Sequence, residues 1–275
     1  MQNLLTRALS GLIYTTLVLF SCFGGAYGYL FLAGFLGASA LIEWMQFRKE
    51  RYISLPAALM IGILFLGLYC YSVVFDITPQ KEGLLHFLII FLFLVLMISQ
   101  VFMKHAKVPQ KLFHVIFGLV YIGFPLFLLP KVPHSMGGDE PWLLAAVFIL
   151  IWTSDTFAYL IGRSFGKHKL LERISPNKTW EGFLGGIVFT LIASYIISRY
   201  IPILPLFSWM GLAVLVIIFG TVGDLFESAI KRGFNMKDSG RFLPGHGGIL
   251  DRIDSLLFAL PVTYFYLRIL DISNL

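Results

Sequence analysis

Several stretches of the chain run for about 18 residues or more with almost no charged side chain, and this feature limits the possible folds most strongly. A helix of that length, rising about 1.5 Å per residue, crosses a hydrocarbon core about 30 Å thick. The whole chain is 58% hydrophobic and 13% charged, whereas a soluble domain has about 25% charged residues. The sequence therefore predicts an all-α, polytopic membrane protein.

The apolar runs divide into about nine predicted transmembrane helices. Gly24 and Gly25 separate the first two, because one helix over residues 8–43 would be too long for a single crossing. The predicted spans are 8–22, 26–47, 53–75, 83–103, 111–130, 141–162, 181–200, 206–230 and 248–270. The first five form a predicted N-terminal region, 1–135, and the last four form a second region, 136–275.

The positive charges follow the predicted loops and indicate the orientation. All but four of the 21 Lys and Arg residues fall on one side; the exceptions are Lys81, Lys131, Arg199 and Arg268. Since cytoplasmic loops carry the excess of Lys and Arg, that side is predicted to be cytoplasmic. The N-terminus and the polar loops 163–180 and 231–247 then lie inside the cell, and the C-terminus lies outside. This topology accounts for the net charge of +6, so nucleic acid is not an expected partner.

Ionisable residues inside the predicted spans gather late in the chain. Such a residue costs about 2.5–3.5 kcal/mol on insertion scales, so it usually faces protein or water and marks a candidate functional site. The acids concerned are Asp155, Asp224, Glu227, Asp251 and Asp254. Asp251 and Asp254 are three residues apart and share a helix face, with Arg252 turned away. Asp224 and Glu227 repeat this spacing, and Lys231 lies one further turn along.

If the last two helices are antiparallel neighbours, several acidic oxygens converge near the cytoplasmic surface. Like charges share a site cheaply only when a cation lies between them. Mg²⁺ prefers oxygen ligands and binds through one or two carboxylates plus substrate phosphates. The candidate metal ligands are Asp224, Asp251 and Asp254. The alternative is that the acids pair with Lys231, Arg232 and Arg252 as structural contacts between helices.

The polar loop 231–247 combines cations with glycines, a pattern that suits a bound polyphosphate. Lys and Arg neutralise phosphate charge, and glycine lets backbone N–H groups approach phosphate oxygens. Gly247 and Gly248 precede a helix N-terminus, which favours anions. His246 is a candidate base, but a phosphate monoester is already anionic at neutral pH. A hydrogen-bonding or positioning role for His246 is therefore preferred.

The polar loop 163–180 ends in a predicted helix start. Ser175 is a candidate N-cap, and Pro176 fits the first helical turn. Lys178 and Thr179 are candidate phosphate contacts. The alternative is a capped loop with positive flanks that binds no ligand.

The segment from Ser228 to Asp254 resembles the signature of the phosphatidate cytidylyltransferase (CDP-diacylglycerol synthase) family. Its positions are held by Ser228, Lys231, Arg232, Lys237, Asp238, Gly240, Leu243, Pro244, His246, Gly247, Gly248, Asp251, Arg252 and Asp254. Asp155, Gly162, Arg163 and residues 175–182 also match, with Asn177 where many relatives have Lys. The first half of the chain matches mainly in its pattern of spans.

The resemblance implies a nucleotidyltransferase of phospholipid biosynthesis in the plasma (inner) membrane. A phosphate oxygen of phosphatidic acid attacks the α-phosphorus of CTP, which gives CDP-diacylglycerol and pyrophosphate. It also implies Mg²⁺, often with K⁺, and a homodimer whose polar funnel lipid enters from the bilayer. The expected catalytic residues are Asp224, Asp251, Asp254, Lys231 and His246. The expected substrate-binding residues are Ser175, Lys178, Thr179, Ser228, Arg232, Lys237, Asp238, Gly247, Gly248 and Arg252.

Two other functions fit parts of the sequence. A CTP-dependent polyprenol or lipid kinase would transfer the γ-phosphoryl group, but the full match from Ser228 to Asp254 argues against it. An anion transporter could use charges within its spans as an ion pathway. Transporters usually place their sites near the midplane, in two related halves, whereas these charges gather at one membrane face and in one half of the chain.

Overall fold

A computed structural model describes residues 2–47, 117–240, 242 and 247–273, and almost all of these residues lie in helices. Their order explains how distant parts of the sequence reach one site. The helices are α1 (Gln2–Cys22), α2 (Gly25–Gln46), α3 (Phe124–Leu128), α4 (Pro141–Phe165), α5 (Trp180–Tyr200), α6 (Leu206–Gly233) and α7 (Leu250–Ser273). A π-helical turn, Leu119–Gly123, precedes α3, and a 3₁₀ turn, Leu129–Lys131, follows it.

Five of the described helices are long and apolar enough to cross a membrane: α2, α4, α5, α6 and α7. They correspond to the predicted spans 26–47, 141–162, 181–200, 206–230 and 248–270, so the prediction of a polytopic membrane protein is confirmed. The predicted span 8–22 lies within α1, as a shorter apolar stretch. The spans 53–75 and 83–103 lie outside the described residues, as does the beginning of 111–130. The count of nine is therefore not confirmed.

Small residues let neighbouring helices approach closely. Where α6 crosses α7, a Cβ atom on Gly223 would collide with the backbone oxygen of Asp254. Where α4 crosses α5, a Cβ on Gly182 would lie 2.6 Å from the backbone oxygen of Ala158. Close backbone approach of this kind is a common way to pack helices in membranes, where the hydrophobic effect does not drive one helix against another.

An aromatic cluster fills the space between the N-terminal helices and the last two. The ring of Trp44 on α2 lies 5.7 Å from that of Tyr121, which lies 5.2 Å from Phe226 on α6. Phe226 in turn lies 5.2 Å from Phe258 on α7. Tyr121 is fully buried, and Trp44 is almost fully buried. This cluster fixes α2 beside the pair formed by α6 and α7.

Both polar loops lie at the same end of the helix bundle, as the predicted topology requires. Lys178, from the first loop, contacts Asp224 near the end of α6. Phe234 at the start of the second loop lies 5.8 Å, ring to ring, from Phe47 at the end of α2. At the opposite end, Tyr29 donates a hydrogen bond to Asp139. The ends of α2, α4, α6 and the start of α7 are thus brought together.

The predicted helix start at Ser175 is wrong. Ser175–Thr179 is a β-strand, β2, which pairs antiparallel with β1, Lys169–Leu171. The N-cap of α5 is Thr179, whose backbone is extended and whose Oγ accepts the N–H of Gly182 at 3.2 Å. Proline fits an edge strand, which needs no N–H from it. The capping signal was real but lies four residues later.

The tight crossing of α6 and α7 predicts a large effect from one methyl group. Gly223→Ala should lower the melting temperature of the detergent-purified chain, because the backbone of Asp254 cannot move as a side-chain tip can. Overpacking of this kind costs about 1–3 kcal/mol. The control is Gly34→Ala on α2, where an added Cβ meets nothing within 4 Å and helix propensity favours Ala. Equal melting temperatures for the two variants would contradict the packing described.

Candidate active site

A cavity of about 640 Å³ lies where α4, the β-hairpin, α5, α6 and α7 meet. This volume is within the range of about 300–1,000 Å³ that is usual for ligand pockets. Its acidic lining residues are Asp155, Asp224, Asp251 and Asp254, and its basic lining residues are Arg163, Lys169, Lys178 and Arg252. A cavity lined by opposite charges in this way can hold both metal ions and phosphates.

The spacing argument for α7 is correct for the acids and wrong for the arginine between them. Asp251 and Asp254 both line the cavity, as residues three apart on a helix should. Arg252 was predicted to turn away, yet it lines the same cavity. The long, flexible arginine side chain can bend back across the helix surface, which a count of residues along the helix does not capture.

Lys178 and Asp224 join the β-hairpin to α6. The Nζ of Lys178 lies 2.5 Å from Oδ2 of Asp224, and each side chain retains about a quarter of its exposure. Ser228, one turn further along α6, donates its hydroxyl to Oδ1 of Asp224 at 3.3 Å. The pair therefore presents one cation and one anion at the cavity wall, within reach of a bound ligand.

Lys231 is held between two carboxylates from different helices. Its Nζ lies 2.6 Å from Oε2 of Glu227 on α6 and 2.7 Å from Oδ1 of Asp251 on α7. Glu227 is completely buried, and although the ion-pair distance is short, neither of its oxygens has good hydrogen-bond geometry. The alternative interpretation, structural pairing between helices, thus describes the contacts of Glu227 and Lys231.

The backbone of the signature loop also binds Asp251. The N–H of Ser239 donates to both carboxylate oxygens, at 3.1 and 3.0 Å, and the N–H of Gly248 donates to Oδ2 at 2.9 Å. Gly247 has a positive φ of 86°, and a Cβ there would lie 2.8 Å from Oδ2 of Asp251. The N–H of Gly248, predicted to face a phosphate, instead faces this carboxylate.

The other predicted site residues lie elsewhere. Arg232, Lys237 and Asp238 are exposed, and the described part of the cavity wall does not include them. Arg232 donates to the backbone oxygen of Met236. Thr179 lines the cavity while capping α5, whereas Ser175 does not line the described wall. His246 lies outside the described residues.

Sequence reasoning missed Glu43, which lies beside the site without lining the cavity. It is an acid on α2, only 3% exposed, and it accepts the N–H groups of Ile249 and Leu250 at the start of α7. The signal was present, because Glu43 is an ionisable residue inside a predicted span. Arg163 and Lys169 were likewise counted only as loop charges that indicate topology.

The donor set of the cavity suits a hard divalent cation, since its acids offer carboxylate oxygens. Within the described residues, no three Asp, Glu, His or Cys side chains are close enough to hold a metal by themselves. Mg²⁺ does not require such a cage, because it commonly binds through one or two carboxylates and completes its shell with water and substrate phosphates. The residues present therefore fit Mg²⁺ that is bound together with a nucleotide.

Comparison with known proteins identifies the family. Residues 5–270 match the model of the cytidylyltransferase family. The phosphatidate cytidylyltransferase of Bacillus subtilis (strain 168) is 34% identical over 272 residues, which cover 98% of this chain and 99% of that protein. That of Staphylococcus aureus (strain COL) is 31% identical over 264 residues, 93% of this chain and 96% of the relative. The chain therefore belongs to the cytidylyltransferase family.

Proposed function

We propose that this chain is a phosphatidate cytidylyltransferase, which converts CTP and phosphatidic acid into CDP-diacylglycerol and pyrophosphate. The observation that carries this proposal is the cavity where acids and cations meet at one end of membrane-spanning helices. The relatives in Bacillus subtilis and Staphylococcus aureus bear the name of this activity and match almost the whole chain. The enzyme acts in phospholipid biosynthesis.

The reaction forms one P–O bond and breaks another. A phosphate oxygen of phosphatidic acid attacks the α-phosphorus of CTP, and the bond from that phosphorus to the α,β-bridging oxygen breaks as pyrophosphate leaves. The attacking phosphate is already anionic at neutral pH. The protein therefore has to position two highly charged substrates and stabilise the charge that develops on pyrophosphate.

The cations of the cavity wall are suited to holding the phosphates. Lys178 and Arg252 reach the cavity from opposite elements, β2 and α7, with Arg163 and Lys169 nearby. Asp224 holds the Nζ of Lys178 at the wall, so the cation is placed before a ligand binds. Because the site is fixed in advance, little energy is spent on ordering these side chains during the reaction.

Asp224 and Asp251 would hold Mg²⁺, with Asp254 as a direct ligand or as the acceptor that orients a bound water. All three carboxylates line the cavity. When bound, the metal neutralises phosphate charge and stabilises the leaving pyrophosphate. Lys231 keeps Asp251 in place from behind. His246, Arg232 and Lys237 belong to the proposed site through the resemblance alone.

The membrane arrangement provides the lipid substrate. We place the end of the bundle that carries the cavity on the cytoplasmic side, where CTP is found, because the positive loops lie there. The outer faces of α4 and α5 expose large apolar side chains, including Tyr159, Leu160 and Leu184. Phosphatidic acid would reach the cavity along this surface with its acyl chains still in the bilayer. A homodimer remains part of the proposal through the resemblance.

Isotope position distinguishes this function from its alternatives. The purified full-length chain, given phosphatidic acid and CTP labelled at the α-phosphorus, should transfer label into the organic phase and release one pyrophosphate per labelled lipid. Transfer should stop when a chelator removes Mg²⁺. Label entering lipid from the γ-phosphorus, with CDP as the by-product, would contradict the proposal and indicate a lipid kinase. Protein that binds CTP yet labels no lipid would also contradict it.

Replacing Asp251 tests the assignment of the site. Asp251→Asn keeps the shape of the side chain but removes the charge that faces Lys231 and the proposed metal. We expect turnover per folded molecule to fall by about 100-fold or more. The control is Asp271→Asn, at the other end of the same helix, where Asp271 pairs with Arg268. This variant should keep normal turnover, and near-normal activity in Asp251→Asn would refute the assignment.

A further inference from the structure

Glu43 on α2 lies about 200 residues from the signature loop in sequence, yet its carboxylate binds that loop directly. We propose that Glu43 is a positioning residue for the proposed reaction, and that it fixes the loop and the start of α7 so that Asp251 faces the cavity. The inference rests on the proposed function for its catalytic consequence. Its structural part, the attachment of the loop to α2, can be tested without any activity.

The carboxylate of Glu43 accepts three hydrogen bonds. Its Oε1 accepts the N–H of Ile249 at 2.9 Å, and its Oε2 accepts the N–H of Leu250 at 2.9 Å and the hydroxyl of Ser239 at 3.0 Å. The first N–H groups of a helix have no partner within it, so an acceptor from elsewhere stabilises the helix end. A negative charge there also interacts favourably with the helix dipole. Glu43 therefore provides a cap for α7 from a different helix.

Ser239 connects Glu43 to Asp251. Its hydroxyl donates to Glu43 and accepts the N–H of Asp251 at 3.3 Å. Its own N–H donates to the carboxylate of Asp251. One residue thus lies between the two carboxylates and is hydrogen-bonded to both. A shift of Ser239 would move the acid that we assign to metal binding.

The loop wraps around Glu43 with no spare room. A Cβ on Gly240 would lie 2.6 Å from Oε1 of Glu43, and a Cβ on Gly248 would collide with Oε2 of Glu43 and with Oγ of Ser239. Both glycines are part of the signature, so their small size is explained here by the carboxylate that they surround. The hydrogen-bond partners of Glu43 in the described part of the chain are two N–H groups and one hydroxyl.

A positioning role predicts effects beyond stability. Burying a carboxylate is costly unless hydrogen bonds compensate, and an amide would fill the same space. In Glu43→Gln, however, one of the two oxygens becomes an NH₂ group, which must face a donor among Ile249, Leu250 and Ser239. The start of α7 would then shift, and Asp251 with it. Groups that orient a metal ligand in this way typically change activity by about 10- to 100-fold.

The test compares Glu43→Gln with Asp139→Asn in the full-length chain. Asp139 accepts a hydrogen bond from Tyr29 at the other end of α2, so both variants replace an acid that anchors this helix. We expect Glu43→Gln to lower kcat per folded molecule by about 10- to 100-fold, and Asp139→Asn to leave kcat within about twofold. Equal losses in both variants, or an unchanged kcat in Glu43→Gln, would overturn the proposal.

Two further measurements keep the result clear. Ser239→Ala should also lower kcat, and the double variant with Glu43→Gln should lose no more than the worse single variant, because the two residues act through one connection. Additive losses would overturn the proposal. Ser239→Ala also serves as the test if Glu43→Gln does not fold.

Hydrogen exchange by mass spectrometry needs no activity, so it separates this inference from the proposed function. The peptide containing Ile249 and Leu250 should exchange faster in Glu43→Gln than in Asp139→Asn. Unchanged exchange there would overturn the inference even in an active enzyme. Faster exchange in a chain that makes no CDP-lipid would support the attachment of the loop to α2 and refute the reaction.

Discussion

The ammonium group of Lys231, held between Glu227 and Asp251, is the contact on which the rest of the site depends. It joins α6 to α7 at the end of the bundle where both polar loops emerge. Lys231 and Glu227 are buried, so each charge needs the others; removing one partner of a buried pair costs about 3–5 kcal/mol. With this contact made, the acids of α6 and α7 face one cavity.

Helix length explains how a membrane protein tolerates so many charges. α6 has 28 residues, which span about 42 Å, whereas the hydrocarbon core is about 30 Å thick. Its last turns, with Asp224, Glu227 and Lys231, therefore extend to the membrane surface. Asp251 and Asp254 lie in the first turns of α7, at the same level. The charges are placed where water and a nucleotide can reach them, and acyl chains can approach from the side.

The sequence predicted what depends on local pattern. The five long spans, the shared end of the two polar loops and the common face of Asp251 and Asp254 all follow from hydrophobic period and charge placement. Ser175 was predicted wrongly as an N-cap, since a serine before a proline suits either a cap or a strand, and the hairpin pairing decides. The contact between Glu43 and Leu250 could not be predicted, because nothing local joins residues so far apart. Roles in catalysis stay predictions, as does the division at residue 135.

Taken together, the contacts form a series from α2 to the cavity. Glu43 holds Ser239, Ser239 holds Asp251, and Asp251 shares Lys231 with Glu227. The N-terminal helices are therefore connected to the site by hydrogen bonds as well as by the aromatic cluster. The chain uses its first half to hold in place a site whose cavity-lining residues all come from its second half.

The account's central claim is that this cavity binds the triphosphate of CTP with its α-phosphorus accessible to lipid. The most direct test is a structure of the chain with Mn²⁺ and α,β-methylene CTP, which cannot release pyrophosphate. The account predicts the triphosphate beside Lys178 and Arg252, and an anomalous Mn²⁺ peak beside Asp224 and Asp251. A nucleotide bound at the opposite end of the bundle, or one in the cavity with only its γ-phosphate accessible to lipid, would contradict it.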